Sequence, residues 1–433
     1  MKILRNPDQS LWKRELKRPT QSDSDIGKII RPIFKSVKKH GDKALKHYAL
    51  EFDQVKLDEI LVTEQEINEA VNLVSEELKE AIEIASANIS KFHTAQKQAE
   101  LVEEVMPGVV CSRKSVPIQR VGLYIPGGTA PLFSTVLMLG IPAVIAGCSE
   151  IILCSPPNKE GKIHPAILYT ASLIGLKKIA KVGGAQAIAA MTFGTKSIPA
   201  VDKIFGPGNQ FVTAGKQRAT KYGVAIDMPA GPSEVLVYAD DSAVPEFVAA
   251  DLLSQAEHGV DSQVVLVTTS EAFAKKTLSQ IDIQLKNLSR KAIAKEALTN
   301  SKVVIMERKE KALDLINFYA PEHLIISVKD EDKAVNEIYN AGSVFIGNYT
   351  PESAGDYASG TNHTLPTYGY ARNYSGVSLD SFVKKITYQK ISKSGLKLLG
   401  PTIEIMAANE LLDAHKNAVT VRLKRIIEEG NEL

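Results

Sequence analysis

Apolar residues in the first part of the chain recur at helical spacing. From residue 64 to 82 they lie three or four positions apart with polar or charged residues between them, which predicts amphipathic helices. Thr63, followed three positions later by Glu66, matches a capping box at the start of one helix. We therefore expect residues 25–120 to be mostly helical, after a polar arm or short helix at 1–24 that carries the only tryptophan, Trp12.

The pattern changes near residue 121. Short runs of consecutive apolar residues now alternate with helical stretches as far as residue 240. This alternation is typical of βαβ units and a mostly parallel sheet, and the unbroken apolar runs fit strands that are covered on both faces. The predicted strands are VGLYIP (121–126), EIILCSP (150–156), KKIAKVGG (177–184), VDKIFGPGN (201–209) and GPSEVLVYA (231–239).

A second α/β stretch follows at about 241–375, and helices are expected between its strands. Its strand-like runs are SQVVLVTT (262–269), KVVIMER (302–308), EHLIISV (322–328) and SVFIGNY (343–349). The last block, 376–433, is expected to be helical around 379–391 and again in a long helix near 402–428. Both the arm and this block are candidates for reaching onto a partner subunit.

Composition and charge exclude several classes of function. The 433 residues carry 52 Lys and Arg against 50 Asp and Glu, a net charge of +2, so nothing electrostatic favours nucleic-acid binding. No apolar run reaches the ~18 residues of a membrane span, and the charged N-terminus does not resemble a signal peptide. Three cysteines without CxxC spacing argue against a disulfide framework and are expected to be buried apolar residues. We expect a cytoplasmic protein.

Glycine-rich turns lie at the ends of several predicted strands: PGG (126–128), GGA (183–185), GPGN (206–209) and AGPSE (230–234). In open α/β sheets ligands bind at the carboxyl ends of strands, where glycine permits a close backbone approach. The sequence contains neither GxGxxG nor GxxxxGK[ST], the usual dinucleotide and P-loop fingerprints. These turns are therefore either part of a ligand site or simply tight turns.

Two pairs of polar residues suggest metal or proton chemistry. Gln255 and His258 lie three apart near the end of a predicted helix and so share one face. Amide oxygen and imidazole nitrogen are both zinc donors, although glutamine is uncommon, and such a pair is also typical of helix capping. Asp356 and His363 lie in a Gly/Ser-rich loop after a strand, where the aspartate either serves a site or forms only an Asx turn.

Two further pairs combine an acid with a histidine. Glu322 and His323 are adjacent just before an apolar strand; neighbours in extended chain face opposite sides, so a common site requires loop geometry. Glu410 and His415 lie five apart on a predicted helix, which is a loose match to one face or a solvated terminal helix. The remaining histidines are expected at the surface (His40, His47, His93) or at a helix start (His164).

Taken together, long segments of the chain resemble histidinol dehydrogenases. They follow the order of that family and cover most of residues 25–425, which makes them far more specific than a single short motif; the 1–20 arm is not covered. The matching stretches are VGLYIPGGTAPLFSTVLML, VGGAQAIAAM, DKIFGPGNQFV, IDMPAGPSEVLV, LLSQAEHGVDSQ, APEHL, SVFIGNYTPESAGDYASGTNHTLPTYGYAR and AHKNAVTVR.

The resemblance implies a zinc-dependent enzyme that oxidises L-histidinol to L-histidine through L-histidinal. The reaction transfers four electrons to two NAD+ and completes histidine biosynthesis. The implied fold is related to aldehyde dehydrogenases, with two Rossmann-like α/β domains and small terminal extensions. One domain would comprise 25–120 plus 235–375 and carry the zinc and acid/base residues, and the other, 121–234, would bind NAD+. The arm is 1–24, and the helical extension 376–433 would reach the partner subunit of a homodimer.

The resemblance also assigns residues. Glu322 and His323 match the acid/base pair. The implied zinc ligands, one ion per subunit, are Gln255, His258, Asp356 and the partner subunit's His415. The implied substrate contacts are Ser233, Gln255, His258, His323, Asp356, His363, Glu410 and His415, and the implied NAD contacts are Tyr124, Gln186 and Asn209.

These residue types suit the implied chemistry, although other functions stay open. His323 can remove the hydroxyl proton, and Glu322 can activate the water that hydrates the aldehyde. The alternatives are oxidation of a different alcohol, a zinc hydrolase that uses Glu322 to activate water, and a non-catalytic protein on the same scaffold. The matches to NAD-contacting residues argue against the hydrolase, and the intact acid/base pair argues against the inactive scaffold.

Overall fold

The structure, a computed structural model, describes residues 1–19, 23–127, 131–229 and 231–431. It divides into two compact units. The first unit comprises Met1–Gln96 and Ile118–Phe382, and the second comprises Lys97–Pro117 and Val383–Leu433.

The described strands and helices alternate through most of the chain. The strands are β1 Lys2–Arg5, β2 Leu101–Met106, β3 Val109–Pro117, β4 Arg120–Tyr124, β5 Glu150–Ser155, β6 Ile179–Lys181, β7 Lys203–Phe205, β8 Ala225–Ile226, β9 Glu234–Ala239, β10 Gln263–Thr268, β11 Lys302–Ile305, β12 His323–Ser327, β13 Ser343–Ile346 and β14 Val383–Ile391. The helices are α1 Gln9–Glu15, α2 Asp23–His40, α3 Asp42–Phe52, α4 Glu64–Leu73, α5 Glu76–Ala95, α6 Phe133–Ala146, α7 Pro165–Leu173, α8 Gly184–Phe193, α9 Gln210–Ala219, α10 Pro245–Ala256, α11 Glu271–Gln284, α12 Lys291–Asn300, α13 Lys309–Tyr319, α14 Glu331–Asn336, α15 Glu352–Tyr357, α16 Lys393–Asn409 and α17 Asp413–Asn431.

One parallel sheet of the first unit has the order β1-β11-β10-β9-β12-β13 among the described residues. The N-terminal segment, expected as an arm or short helix, adds both an edge strand and a helix to this unit. Strand β1 pairs with β11, with Lys2 opposite Lys302. Helix α1 buries Trp12, whose ring lies 5.5 Å from that of Phe318. A strand of only four residues leaves little pattern in the sequence, which is why it was not predicted.

A second parallel sheet of the first unit has the order β6-β5-β4-β7-β8 among the described residues. The order reverses at β4, because β5 and β6 lie on one side of it and β7 and β8 on the other. Such a switch point leaves a crevice outside the carboxyl ends of the two diverging strands, here β4 and β7. Both sheets confirm the α/β class and the strands predicted from the apolar runs.

The helices between residues 23 and 95 pack mainly on elements of 121–234. Helix α2 contacts α8 and α9, α4 contacts α7, and α5 contacts α6. Ile30 and Phe34 of α2 share a core with Ile188 of α8. The sequence analysis placed residues 25–120 in one domain with 235–375, whereas these helices pack on 121–234. The physical reason lies in α8, whose residues 185–192 are buried and need a covering layer.

The second unit contains an antiparallel sheet of order β14-β3-β2 and the packed helix pair α16 and α17. The expected helix at 379–391 is wrong, because β14 runs along the whole of β3, with Lys384 opposite Val116. All but the first residue of β14 are exposed, so no buried face marks it in the sequence. The strands β2 and β3 likewise replace part of the mostly helical region expected at 25–120.

The structure tests several local predictions about helix caps, histidines and cysteines. The capping box of Thr63 and Glu66 is confirmed, and His164 caps the start of α7. The prediction that His93 lies at the surface is wrong, because the residue is fully buried, with its Nδ1 2.9 Å from Ile89 O. Cys154 is buried as expected, whereas Cys111 and Cys148 are only partly buried.

Among the described helices, none combines the length and apolar character that crossing a bilayer demands.

The turn after β7 lies directly against the end of β4. Gly206 has a φ of +134°, and a Cβ placed on it would lie 2.1 Å from Tyr124 O. Buried Lys216 donates to Gly206 O (2.8 Å) and pairs with Asp227. The Asp227 carboxylate in turn accepts from Gly206 N (2.8 Å). A glycine at this position therefore permits the close approach of the two strand ends at the switch point.

We expect Gly206→Ala to destabilise the protein more than the matched control Gly223→Ala. Gly223 also has a positive φ, +84°, but a Cβ placed there meets nothing within 4 Å. Both changes carry backbone strain of about 1–3 kcal/mol, and only Gly206→Ala adds a backbone collision worth about 1–3 kcal/mol more. Free energies of unfolding from denaturant titration measure the difference; equal losses in the two variants would contradict the close approach.

Candidate active site

Glu322 and His323 lie at the amino end of β12. Both are buried, with 6% and 3% of their surface exposed. Glu322 directly precedes the strand, so its side chain can turn back toward the ring, and its Oε2 lies 3.6 Å from His323 Nδ1. Glu322 also accepts from Glu234 N (2.9 Å), and His323 Nδ1 lies 3.2 Å from Glu234 O. The two adjacent residues thus converge as a shared acid/base site requires.

Gln255 and Asp356 flank the His323 ring. Gln255 lies in the last turn of α10, and its Nε2 is 2.9 Å from His323 Nδ1. Asp356 lies in the short helix α15, which replaces the expected loop, and its Oδ1 is 3.4 Å from His323 Nε2. Helix α10 follows β9 and runs back to the amino edge of the sheet, so its last turn arrives beside the start of β12.

Glu352 belongs to this cluster although the sequence analysis did not single it out. It is 1% exposed and accepts from Gln255 Nε2 (3.0 Å) and Ser254 Oγ (2.6 Å). His323, Glu352 and Asp356 each offer a ligand atom within 4.8 Å of the others. Glu352 lies four residues before Asp356, one turn along a helix. That spacing of two acids is the sequence signal that could have found it.

Burial and mutual charge set the proton affinities of the cluster. Burial alone would lower the pKa of His323, but pairing with Glu322 and Asp356 outweighs burial and raises the pKa well above 6.5. Burial raises the pKa of Glu322, and it raises the pKa of Glu352 to about 8. Burial would also raise the pKa of Asp356, but its contact with His323 holds that pKa well below the ordinary range. The contact with the His323 ring therefore favours the ionised form of the Asp356 carboxyl.

His363 connects the cluster to the five-stranded part of the first unit. Its Nδ1 lies 2.9 Å from Asp356 O and its Nε2 lies 3.1 Å from Thr135 Oγ1 in α6. Because a carbonyl oxygen only accepts, Nδ1 carries the proton and Nε2 accepts from the threonine hydroxyl. Burial lowers the pKa of His363, which favours this neutral form. Sequence reasoning did not identify Thr135.

The remaining predicted residues of the first unit lie at the edge of the cluster. His258 lies two residues beyond the end of α10, in a turn where its N–H donates to Gln255 O (3.3 Å), and its side chain is exposed. Ser233 is partly buried just before β9, and its backbone oxygen accepts from Gln263 N (3.2 Å).

Glu410 and His415 belong to the second unit. Glu410 follows the last turn of α16, and His415 lies in the first turn of α17. Both side chains are exposed. The predicted roles of these two residues therefore concern a surface of the second unit.

Two polar atoms at the centre of the cluster make no hydrogen bond to any described residue. They are Gln255 Oε1 and His323 Nε2, and both are buried. An unpaired buried polar atom costs about 1–3 kcal/mol. His323 Nε2 still has its ion-pair contact with Asp356 at 3.4 Å, so Gln255 Oε1 is the atom that lacks a partner among the described residues. Amide oxygen, imidazole nitrogen and carboxylate oxygen are all donors to zinc and related divalent cations. The donor set of Gln255, Asp356 and a histidine therefore fits a cation.

A cavity of about 970 Å³ lies at the switch point of the five-stranded sheet. Tyr124 at the end of β4, Gln186 in α8 and Asn209 at the start of α9 all line it. Its volume is at the upper end of the ~300–1,000 Å³ typical of small-molecule sites. The structure thus brings the three residues predicted to contact NAD+ into one cavity.

Two helices begin at this cavity. Gly184, the first residue of α8, donates its backbone N–H to Tyr124 Oη (3.0 Å). Asn209 caps α9 by accepting from Phe211 N and Val212 N, both at 3.1 Å. Helix N-termini present N–H groups and partial positive charge, which favour phosphate groups. The glycine-rich turns around 183–185 and 206–209 are therefore parts of the cavity wall as well as turns.

Comparisons with known proteins identify the family. The sequence profile of histidinol dehydrogenases matches residues 16–423. A histidinol dehydrogenase of Bacteroides fragilis is 58% identical over 426 residues, which are 98% of this chain and 100% of that relative. One of Campylobacter jejuni is 52% identical over 424 residues, 97% of this chain and 98% of that relative.

A solved structure agrees with the fold. The crystal structure of histidinol dehydrogenase from Elizabethkingia anophelis superposes with a TM-score of 0.96 at 57% identity and covers 98% of each chain. The α/β fold, the converging acid/base pair and the extent of these matches lead to one conclusion: the chain belongs to the histidinol dehydrogenase family, the oxidoreductases of histidine biosynthesis.

Proposed function

We propose that the protein oxidises L-histidinol to L-histidine through L-histidinal, with two NAD+ as electron acceptors and one zinc ion per subunit. The observation that carries this proposal is the buried cluster in which His323 contacts Glu322, Gln255 and Asp356. The overall reaction consumes L-histidinol, water and two NAD+. It yields L-histidine, two NADH and protons.

The proposed zinc ligands are Gln255, His258, Asp356 and the partner subunit's His415. The fit rests on a nitrogen and oxygen donor set and on the buried, unpartnered Oε1 of Gln255. A zinc ion held by these residues would anchor the imidazole and amine of the substrate and so fix the carbinol carbon for hydride transfer.

His323 and Glu322 divide the proton transfers. His323 accepts the hydroxyl proton of the alcohol as the hydride leaves the carbinol carbon. Glu322 then removes a proton from the water that adds to the aldehyde, and burial raises its pKa toward the range of an effective base. In the second oxidation His323 accepts a proton from the hydrated aldehyde.

The cavity lined by Tyr124, Gln186 and Asn209 is the proposed NAD+ site, and NAD+ held there would supply the hydride acceptor for each oxidation. The N-termini of α8 and α9 suit its pyrophosphate. The hydrogen bond between Thr135 and His363 ties α6, which begins just after the cavity residue Pro131, to the catalytic cluster. This link supports a nicotinamide that reaches the substrate from the cavity.

We also propose a cytoplasmic homodimer in which the second unit supplies Glu410 and His415 to the partner's site. Both side chains are exposed, as are Ile405, Met406 and Leu411 close to them in sequence. Exposed large apolar residues in such number are typical of a protein interface. The free cysteines suit a reducing compartment.

An assay of NADH formation tests the reaction. Purified protein with zinc, L-histidinol and excess NAD+ should form about two NADH per histidinol consumed, because bound aldehyde passes to the second oxidation. A chelator should abolish turnover and added zinc should restore it. Turnover of another alcohol with none of histidinol would support the alternative of a dehydrogenase for a different alcohol. Hydrolysis without NAD+ would refute the dehydrogenase assignment.

The amount of bound zinc in two variants distinguishes the proposed ligand His415 from the proposed base His323. His415→Ala should lower bound zinc while the protein remains a folded dimer, whereas His323→Ala should retain zinc and lose about 10²- to 10⁴-fold in turnover. Elemental analysis and light scattering measure both properties, and exposed His40→Ala is the matched control. Full zinc in His415→Ala would refute that ligand. Zinc loss in His323→Ala would instead indicate a site made by His323, Glu352 and Asp356.

A further inference from the structure

Two polar side chains of the cofactor cavity have no part in the chemistry described above. Asp53, directly after α3, and Ser155, at the end of β5, both line this cavity. Asp53 Oδ2 and Ser155 Oγ are buried, and neither makes a hydrogen bond to any described residue. A buried acceptor and a buried hydroxyl that share one cavity indicate a ligand that supplies hydroxyl groups or other polar partners.

The carboxylate of Asp53 is unfavourable in the free protein. Burial raises the pKa of Asp53 to about 6, since no hydrogen bond to a described residue favours the charged form. A carboxylate that is costly to ionise and lies in a cavity is typical of a functional site. A ligand with hydroxyl donors would supply the missing hydrogen bonds to the ionised form.

The wall beside Asp53 is apolar. Ile29, Ile33 and Phe52 line the same cavity, and Ile29 and Phe52 remain about half exposed at 49% and 50%. A flat apolar surface next to a carboxylate matches the two halves of a nucleoside. The base packs on the apolar side chains, and the vicinal ribose hydroxyls donate to the acid, as in other dinucleotide sites.

The position of this wall selects one end of the dinucleotide. Asp53 follows α3, which packs on α2 and α8 in the helical layer. The catalytic cluster is instead connected to α6 through Thr135 and His363. The nicotinamide must face the cluster, so the wall that carries Asp53 is left for the adenosine end.

We propose that Asp53 binds the adenosine ribose of NAD+ through its 2′ and 3′ hydroxyls and thereby excludes NADP+. This inference rests on the proposed binding of NAD+ in the cavity. A 2′-phosphate would bring its negative charge against the carboxylate. Lys159 and Lys162 line the same cavity, so a neutral residue at position 53 would remove the repulsion of a phosphate and leave these two cations to attract it.

The test is a thermodynamic cycle that removes the 2′ hydroxyl from the ligand, the carboxylate of Asp53 from the protein, or both. Dissociation constants of NAD+, its analogue with 2′-deoxyadenosine, and NADP+ are measured by calorimetry for the zinc-loaded protein and for Asp53→Asn. The unsubstituted protein should bind NAD+ about ten- to hundredfold more tightly than the deoxy analogue, as expected for a hydrogen bond to a charged group. In Asp53→Asn this preference should shrink to within about twofold and NADP+ should bind more tightly.

Folding and kinetics provide the controls. Removing a buried, unpaired carboxyl should leave the melting temperature of Asp53→Asn equal to or above that of the unsubstituted protein. The loss should appear in KM for NAD+ rather than in kcat, because the adenosine end takes no part in hydride transfer. Asp58→Asn removes an equal charge from an exposed residue of the same segment and should keep the preference for NAD+ over the deoxy analogue.

The outcomes distinguish two failures. If the unsubstituted protein binds NAD+ but does not discriminate against the deoxy analogue, or if Asp53→Asn keeps the discrimination, the role of Asp53 is overturned and the proposed function stands. If the unsubstituted protein binds no NAD+ in the presence of zinc and histidinol, the proposed function fails and the role of Asp53 fails with it.

Discussion

The proposed catalytic centre depends on the burial of charged groups around His323. Removing an ion from water costs several kcal/mol, and only close opposite charges and hydrogen bonds offset that cost. His323 finds them in Glu322 and Asp356, while the backbone of Glu234 engages both members of the acid/base pair. These partners come from β9, β12 and α15, which are far apart in sequence. The charges can therefore meet only after this sheet and its helices have packed.

The six-stranded and five-stranded sheets of the first unit present opposite strand ends to the two proposed sites. The cluster around His323 lies at the amino end of β12, whereas the proposed NAD+ cavity lies at the carboxyl ends of β4 and β7. The loop around Asn362 and His363 joins them. Asn362 donates to Met138 O of α6 at 2.6 Å, next to the contact between His363 and Thr135. The proposed sites of substrate chemistry and NAD+ binding are thus connected through α6.

The sequence predicted most of what depends on continuous burial. Strands such as β5 and β9 contain continuous apolar runs, at 151–154 and 235–239, and were recognised from that pattern. The family resemblance supplied Glu322, His323 and the cavity residues. What it missed has weak local signals. Strand β14 is exposed along nearly all its length, so no alternation marks it. Glu352 and Asp53 look like ordinary surface acids, and only tertiary packing removes them from water.

The pairing of β1 with β11 bears on how the chain folds during synthesis. Lys2 is synthesised three hundred residues before its partner Lys302. At a synthesis rate of about 5–20 residues per second, roughly 15–60 s pass before the two segments can meet. During that interval the first strand and the indole of Trp12 lack their final partners. The six-stranded sheet can be completed only late. A nascent chain that stops before residue 302 lacks β11, the strand with which β1 pairs.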